Sequence, residues 1–215
     1  INCTLCVRAC REVQVNDVIG MAMRGADARI VFDLDDPMGS STCVACGECV
    51  QACPTGALLP ASVTAAGVAG RIEADRTVDS VCPYCGVGCQ LTYHVKDDRL
   101  LYVSGRDGPA NRNRMCVKGR FGFDYVHHPD RLTVPLIRKD GVPKNADEDL
   151  DPANPLSHFR EASWDEALDV AAAGLKRIRD EVGGNGLAGF GSAKGSNEEA
   201  YLVQKLVRTG FGTNN

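Results

Sequence analysis

Apolar and polar positions change their period several times along the chain, and each change marks an element. Gln90–Lys96 and Leu100–Ser104 alternate around Asp97-Asp98, which predicts a β-hairpin. A second strand pair is expected at Asp17–Met23 and Ala28–Asp33, joined by Arg24-Gly25-Ala26-Asp27. In the last third the period lengthens. Apolar residues Leu168, Ala171, Leu175, Ile178 and Val182 form a helical stripe, opened by the capping box Ser163-Trp164-Asp165-Glu166 and closed by Gly183. Trp164 reads as a core anchor at that helix start. Leu187–Phe190 predicts a short buried strand, and Ser196-Asn197-Glu198-Glu199 caps a second helix with Val203, Leu206 and Val207, ending at Gly210. Helix, strand and helix in this order imply the opening of an α/β domain with a parallel sheet. Residues 60–78, rich in Ala, Gly, Thr and Ser, read as a linker. Residues 139–160 are polar, contain Pro143, Pro152 and Pro155, and read as a surface excursion.

Composition narrows the class. The 215 residues are 44% apolar but only 6% aromatic, so the hydrophobic core cannot be generous. A formal charge of −4 argues against a nucleic-acid partner. No run of roughly 18 apolar residues is present to span a membrane. Ile1-Asn2-Cys3-Thr4-Leu5-Cys6 shows no secretion signal, which points to a cytoplasmic protein. The chain starts without Met and stops in a motif-like stretch, Gly212-Thr213-Asn214-Asn215, so it reads as a piece of something longer.

The eleven cysteines carry the chemistry: Cys3, Cys6, Cys10, Cys43, Cys46, Cys49, Cys53, Cys82, Cys85, Cys89 and Cys116. An odd number without a secretion signal weakens a disulfide reading. Cys43-x2-Cys46-x2-Cys49-x3-Cys53-Pro54 is the spacing of bacterial ferredoxins, in which the fourth cysteine ligates a second [4Fe–4S] cluster. Short gaps let three thiolates converge on one cube, while the longer gap and Pro54 send the last sulfur elsewhere. Gly47 and Gly56 allow the backbone to turn sharply there. The reciprocal run is Cys3-x2-Cys6-x3-Cys10, whose expected first cysteine would stand just before Ile1. One cluster is therefore expected on Cys3, Cys6 and Cys53, and another on Cys43, Cys46, Cys49 and Cys10. Cys82-x2-Cys85-x3-Cys89-x26-Cys116 forms a separate set for a third. Four thiolates also suit Zn²⁺, although zinc ribbons usually offer two C-x2-C knuckles, so zinc stays open for this set on spacing alone. Eleven cysteines are one short of what three such clusters need.

At Cys82-Pro83-Tyr84-Cys85-Gly86-Val87-Gly88-Cys89 and Cys116-Val117-Lys118-Gly119 the sequence resembles the molybdopterin-guanine-dinucleotide oxidoreductases. From the ferredoxin run to Gly210-Phe211-Gly212-Thr213-Asn214-Asn215 it resembles the catalytic (alpha) subunits of NAD-dependent formate dehydrogenases. That resemblance implies a molybdenum or tungsten centre on two pterin guanine dinucleotides beside the third cluster. It also implies formate as substrate, CO₂ as product, and flavin- and NAD-binding iron–sulfur partner subunits as electron acceptors. Lys118 would be the electron-transfer bridge between cluster and pterin, and Lys194 would touch the pterin dinucleotide at a strand end. The metal-ligating cysteine or selenocysteine would follow Asn214-Asn215, so the 215 residues alone are expected to be inactive. The alternative is a non-catalytic conduit similar to the large iron–sulfur subunit of respiratory complex I.

The expected fold class is α+β in three parts. A ferredoxin-like module with two [4Fe–4S] clusters spans residues 1–60, followed by a linker at 61–78. A small β-rich [4Fe–4S] domain spans 79–138, followed by a surface loop at 139–160. The start of an α/β molybdopterin-binding domain occupies 161–215. Other signals are bland. Arg106, Arg112, Arg114 and Arg120 surround the Cys116 loop, either facing cofactor charge or simply solvated. His94, His127 and His128 read as structural or surface residues. Gly189-Phe190-Gly191 lacks the rest of a dinucleotide fingerprint, which places any nicotinamide chemistry on another polypeptide.

Overall fold

The computed structural model of the chain describes residues 2–64, 72–142, 144 and 154–215. It divides into two units, Ile1–Tyr125 with Ala193–Asn197, and Val126–Ser192 with Glu198–Asn215.

The first unit opens with helix α1 (Leu5–Arg8), which widens into a π-helical turn over Ala9–Gln14. Strands β1 (Ile19–Ala22) and β2 (Arg29–Phe32) pair antiparallel, with Ile19 opposite Phe32. The alternation had placed this pair correctly but too long. Left-handed backbone at Asp17 (φ 54°) and Asp33 (φ 45°) breaks the extended path at both outer ends. Helix α2 (Glu48–Ala52) follows the central cysteine loop. Val18 and Ile19 then pack against Cys6, Val7, Cys10 and Cys49 in one buried cluster.

A three-stranded antiparallel sheet, β3 (Arg76–Val81), β4 (Gln90–Lys96) and β5 (Arg99–Gly105), forms the rest of the scaffold. The predicted hairpin is β4–β5. Its two-residue turn has Asp97 at φ 48° and Asp98 at φ 57°, the doubly left-handed geometry that matches strand twist. Strand β3 begins inside the stretch expected as a linker. Its side chains are almost all exposed, so no buried alternation marks it in the sequence. Polar contacts hold it instead: Lys96 Nζ reaches Asp75 at 2.6 Å, and Arg76 reaches Asp98 at 2.7 Å. Leu91, fully buried, centres a core with Cys82, Val103 and Met115, and helix α3 (Val117–Phe121) follows.

In the second unit, β6 (Leu136–Arg138) pairs antiparallel with β7 (Phe159–Glu161). The excursion expected over 139–160 thus ends in a strand; Pro143 and Pro152 lie outside the described residues, and Pro155 opens a 3₁₀ turn. Helix α4 (Trp164–Val182) starts where the capping box predicts, with Ser163 Oγ accepting the Glu166 N–H at 3.1 Å. Glu166 does not reach back to complete the box; its carboxylate takes Arg160 at 2.5 Å. Helix α5 (Asn197–Lys205) continues as a π-helical turn over Leu206–Phe211 and stops at left-handed Gly212 rather than at Gly210.

Three expectations need correction in this unit. Leu187–Phe190 is not a strand: Leu187 is buried, but Phe190 is 95% exposed. Its one backbone ladder contact is Gly189 N–H to Asn215 O at 3.1 Å, and a strand needs a neighbour along its length. All paired strands among the described residues are antiparallel, so the parallel sheet expected of an α/β domain is not formed there. Trp164 is 67% exposed and anchors no core. Of the apolar stripe, Ile178 packs on Leu187, Val207 and Phe211, while Leu168 and Val182 face outward.

Candidate metal centre

Local backbone geometry sets where each sulfur stands. Cys6 lies in α1, Cys10 in the π-helical turn, Cys49 in α2, and Cys53 caps its end. Cys43 and Cys46 sit on the preceding loop, curled by left-handed Ala45 (φ 52°) and Gly47 (φ 74°). Gly56 (φ 72°) turns the chain after Cys53-Pro54. Cys82 follows β3, Cys85 and Cys89 lie on the loop into β4, and Cys116 is the N-cap of α3. All eleven are free thiols.

Like charges repel, so each thiol reports its sulfur neighbours. Burial raises the Cys6 thiol, and Cys3 and Cys53 raise it further. Burial pushes Cys49 up to about 11, with added repulsion from Cys46, Cys43 and Cys10. Cys89 is raised by burial and by Cys82, Cys85 and Cys116. Cys6 thus lies near enough to feel Cys3 and Cys53, Cys49 to feel Cys10, Cys43 and Cys46, and Cys89 to feel Cys82, Cys85 and Cys116. Backbone N–H groups are aimed at several of these sulfurs. Val18 donates to Cys10 Sγ and Ala45 to Cys43 Sγ, each at 3.3 Å. Cys53 is lowered to about 7 by the Leu58 N–H, the Thr55 hydroxyl and further N–H groups of the same turn. Such donors favour the thiolate, the form that ligates metal. Among the described residues, no three His, Cys, Asp or Glu side chains close on the position of a single ion.

Lys118 stands exposed in α3, two residues past Cys116, and its charge lowers the Cys82 thiol against the larger effect of burial. Lys194 is exposed and lies in a turn, not at the end of a strand as expected. His94 is structural: it stacks on Tyr102 at 3.9 Å between ring centroids and shares a 2.8 Å hydrogen bond with Ser104. His128 is exposed beside Asp130.

Sequence reasoning missed a buried polar hub. Arg120, left open between cofactor-facing and solvated, has a side chain only 4% exposed and pairs with Glu48 at 2.7 Å. Its Nε donates to Cys46 O at 2.6 Å and its Nη1 to Gln51 Oε1 at 2.8 Å. Glu48 Oε1 also accepts the Met115 N–H at 3.0 Å. Gln51 accepts the Gly105 N–H at 3.0 Å and donates to Asn113 O at 3.2 Å. Buried Asn111 ties down the adjoining loop, with its amide donating to Gln90 O, Arg106 O and Arg114 O. One signal was available: Glu48 is a charged residue inside the Cys46–Cys49 gap, the part of a ligand loop that faces its own core.

Comparisons with known proteins match the chain in three successive stretches. Residues 1–57 match the 4Fe-4S dicluster domain, 75–128 the molybdopterin oxidoreductase Fe4S4 domain, and 131–215 the molybdopterin oxidoreductase domain. A Staphylococcus haemolyticus protein named "putative formate dehydrogenase" is 36% identical over 253 aligned positions, covering 100% of this chain and 24% of its own. Two Staphylococcus aureus proteins of the same name, from strains bovine RF122 and MSSA476, are 33% identical with the same coverage. The chain thus spans about a quarter of the length of these relatives. In chain order, the residues match a 4Fe-4S dicluster domain and then the Fe4S4 and molybdopterin domains of the molybdopterin oxidoreductases, and the chain is similar along its whole length to one stretch of these proteins named "putative formate dehydrogenase".

Proposed function

We propose that the whole protein is a formate dehydrogenase and that these residues hold its three [4Fe–4S] clusters. Cys10, Cys43, Cys46 and Cys49 would hold one, and Cys82, Cys85, Cys89 and Cys116 another. Cys3, Cys6 and Cys53, with one further ligand, would hold the remaining one. The observation that carries this reading is the grouping of eleven thiols into three neighbouring sets, with backbone N–H groups aimed at their sulfurs. Four thiolates on one zinc ion must close to about 2.3 Å from a single point, whereas a cubane takes each thiolate on a separate iron.

When bound, the clusters would supply one-electron carriers between a molybdenum or tungsten centre, on two molybdopterin guanine dinucleotides, and flavin/NAD-binding partner subunits. The chain's own residues would do the rest. The hydrogen-bond donors of its own turn would favour the thiolate of Cys53, and burial of Cys6, Cys10, Cys46, Cys49 and Cys82 would keep water from their sulfurs. Lys118 would offer its ammonium to the pterin beside the third cysteine set, and Lys194 would contact the pterin dinucleotide. Formate oxidation to CO₂ would belong to the whole protein, because the family's metal-ligating cysteine or selenocysteine follows the Asn214-Asn215 motif. Residues 1–215 alone would not oxidise formate. A chain with so many free thiols fits the reducing cytoplasm, and no described helix is long and apolar enough to cross a membrane.

The test is anaerobic reconstitution with iron and sulfide. Iron–sulfur absorbance and paramagnetic signals from distinct clusters are expected, and C89S should lose about a third of the iron. Stoichiometric zinc in place of iron would overturn the assignment. Absence of molybdenum and tungsten from the whole protein would favour a non-catalytic conduit.

A further inference from the structure

The buried hub links two ligand loops far apart in the sequence. One end is α2, where Glu48 sits between Cys46 and Cys49; the other is α3, where Arg120 lies one turn past Cys116. Every nitrogen of the guanidinium has a partner: Cys46 O, Gln51 Oε1 and Glu48 Oε1. Gly47 is built around it. Its backbone is left-handed, and the place of its missing Cβ is filled by Arg120 Cδ. An exposed pair in such a place would do little, but a buried one tolerates few geometries and leaves a stranded charge if either member is lost.

We propose that Arg120 is a positioning residue that, through Glu48 and Gln51, fixes the Cys46–Cys49 loop against the Cys116 helix and balances the charge between two metal sites. The proposal rests on the cluster reading above. Adding an electron makes a cluster more negative, so a nearby fixed cation favours reduction and a carboxylate opposes it. As a neutral pair, Arg120 and Glu48 nearly cancel. Removing one member should therefore shift the nearby potential in a direction set by the member that remains. The fork of Arg120 also grips three partners at once, which a lysine cannot do.

The experiment uses the iron-loaded full chain, with iron content and a redox titration followed by electron paramagnetic resonance. R120Q should lower the potential of the cluster at Cys46, and E48Q should raise it. R120K should stay near the wild-type potential but show weaker magnetic interaction between the reduced clusters at Cys46 and Cys116. Shifts of the same sign, or an iron-replete R120Q indistinguishable from wild type, would overturn the proposal. Should R120Q fail to load, the double variant R120M/E48L removes both charges without stranding either. It should restore the potential while leaving the interaction weakened; an unchanged interaction counts against the proposal. Loss of iron from every variant, with wild type loading normally, assigns the pair to folding alone and overturns it. Wild type that takes up no iron fails the cluster reading instead.

Discussion

Asp75 and Cys53 show how a single backbone turn sets the charge state of one side chain. Asp75 is held below the ordinary aspartate range, first by the Asp97 N–H and then by the Lys96 ammonium. Its folded-state pKa is depressed, so its contribution to stability is present above the unfolded value of about 3.9 and is lost as pH falls through the folded one. D75N should therefore be less stable than wild type near neutral pH, with the difference shrinking on acidification. Urea midpoints measured across that range check it, and a difference that grows toward acid would contradict it. Cys53 is lowered by the same physics, through donors on its own turn, whereas Cys49 in the same loop is raised by burial. Both stand out in the sequence as candidate ligands from spacing alone. These opposite environments do not, because they depend on which N–H groups the folded turn aims at each sulfur.

At the scale of elements, local chemistry was readable wherever a side chain caps or turns its own segment. The Asp97-Asp98 turn and the Ser163 cap are cases of this kind, since both are decided within a few residues. S163A should lower the stability of the unit that carries α4 by about 1 kcal/mol, with S163D recovering most of it. Thermal melts followed by helical circular dichroism measure this, and an unchanged midpoint would show that the cap does not limit stability. Readings that depend on a neighbour fared worse. Strand β3 starts inside the stretch that reads as a linker from its small and polar residues, because its exposed side chains carry no hydrophobic period to mark it. Leu187–Phe190 reads as a strand because it is a short apolar run, yet among the described residues only Asn215 lies alongside as a ladder neighbour.

At the scale of the molecule, two of the three apolar clusters among the described residues are built partly from cysteines, and the chain is only 6% aromatic. Metal ligation would then supply folding energy that apolar burial does not. Stripping iron from the loaded chain with a chelator should make residues 2–60 protease-sensitive and reduce their circular dichroism; an unaltered spectrum would refute this. By itself the sequence determined the candidate ligand residues, the spacing that sorts them into sets and the order of the matched domains, because cysteine spacing is local and chemically specific. Only the tertiary structure decided that Arg120 is buried rather than solvated. Its partners Cys46, Glu48 and Gln51 lie 74, 72 and 69 positions away, and no local pattern records which distant carboxylate will neutralise a charge.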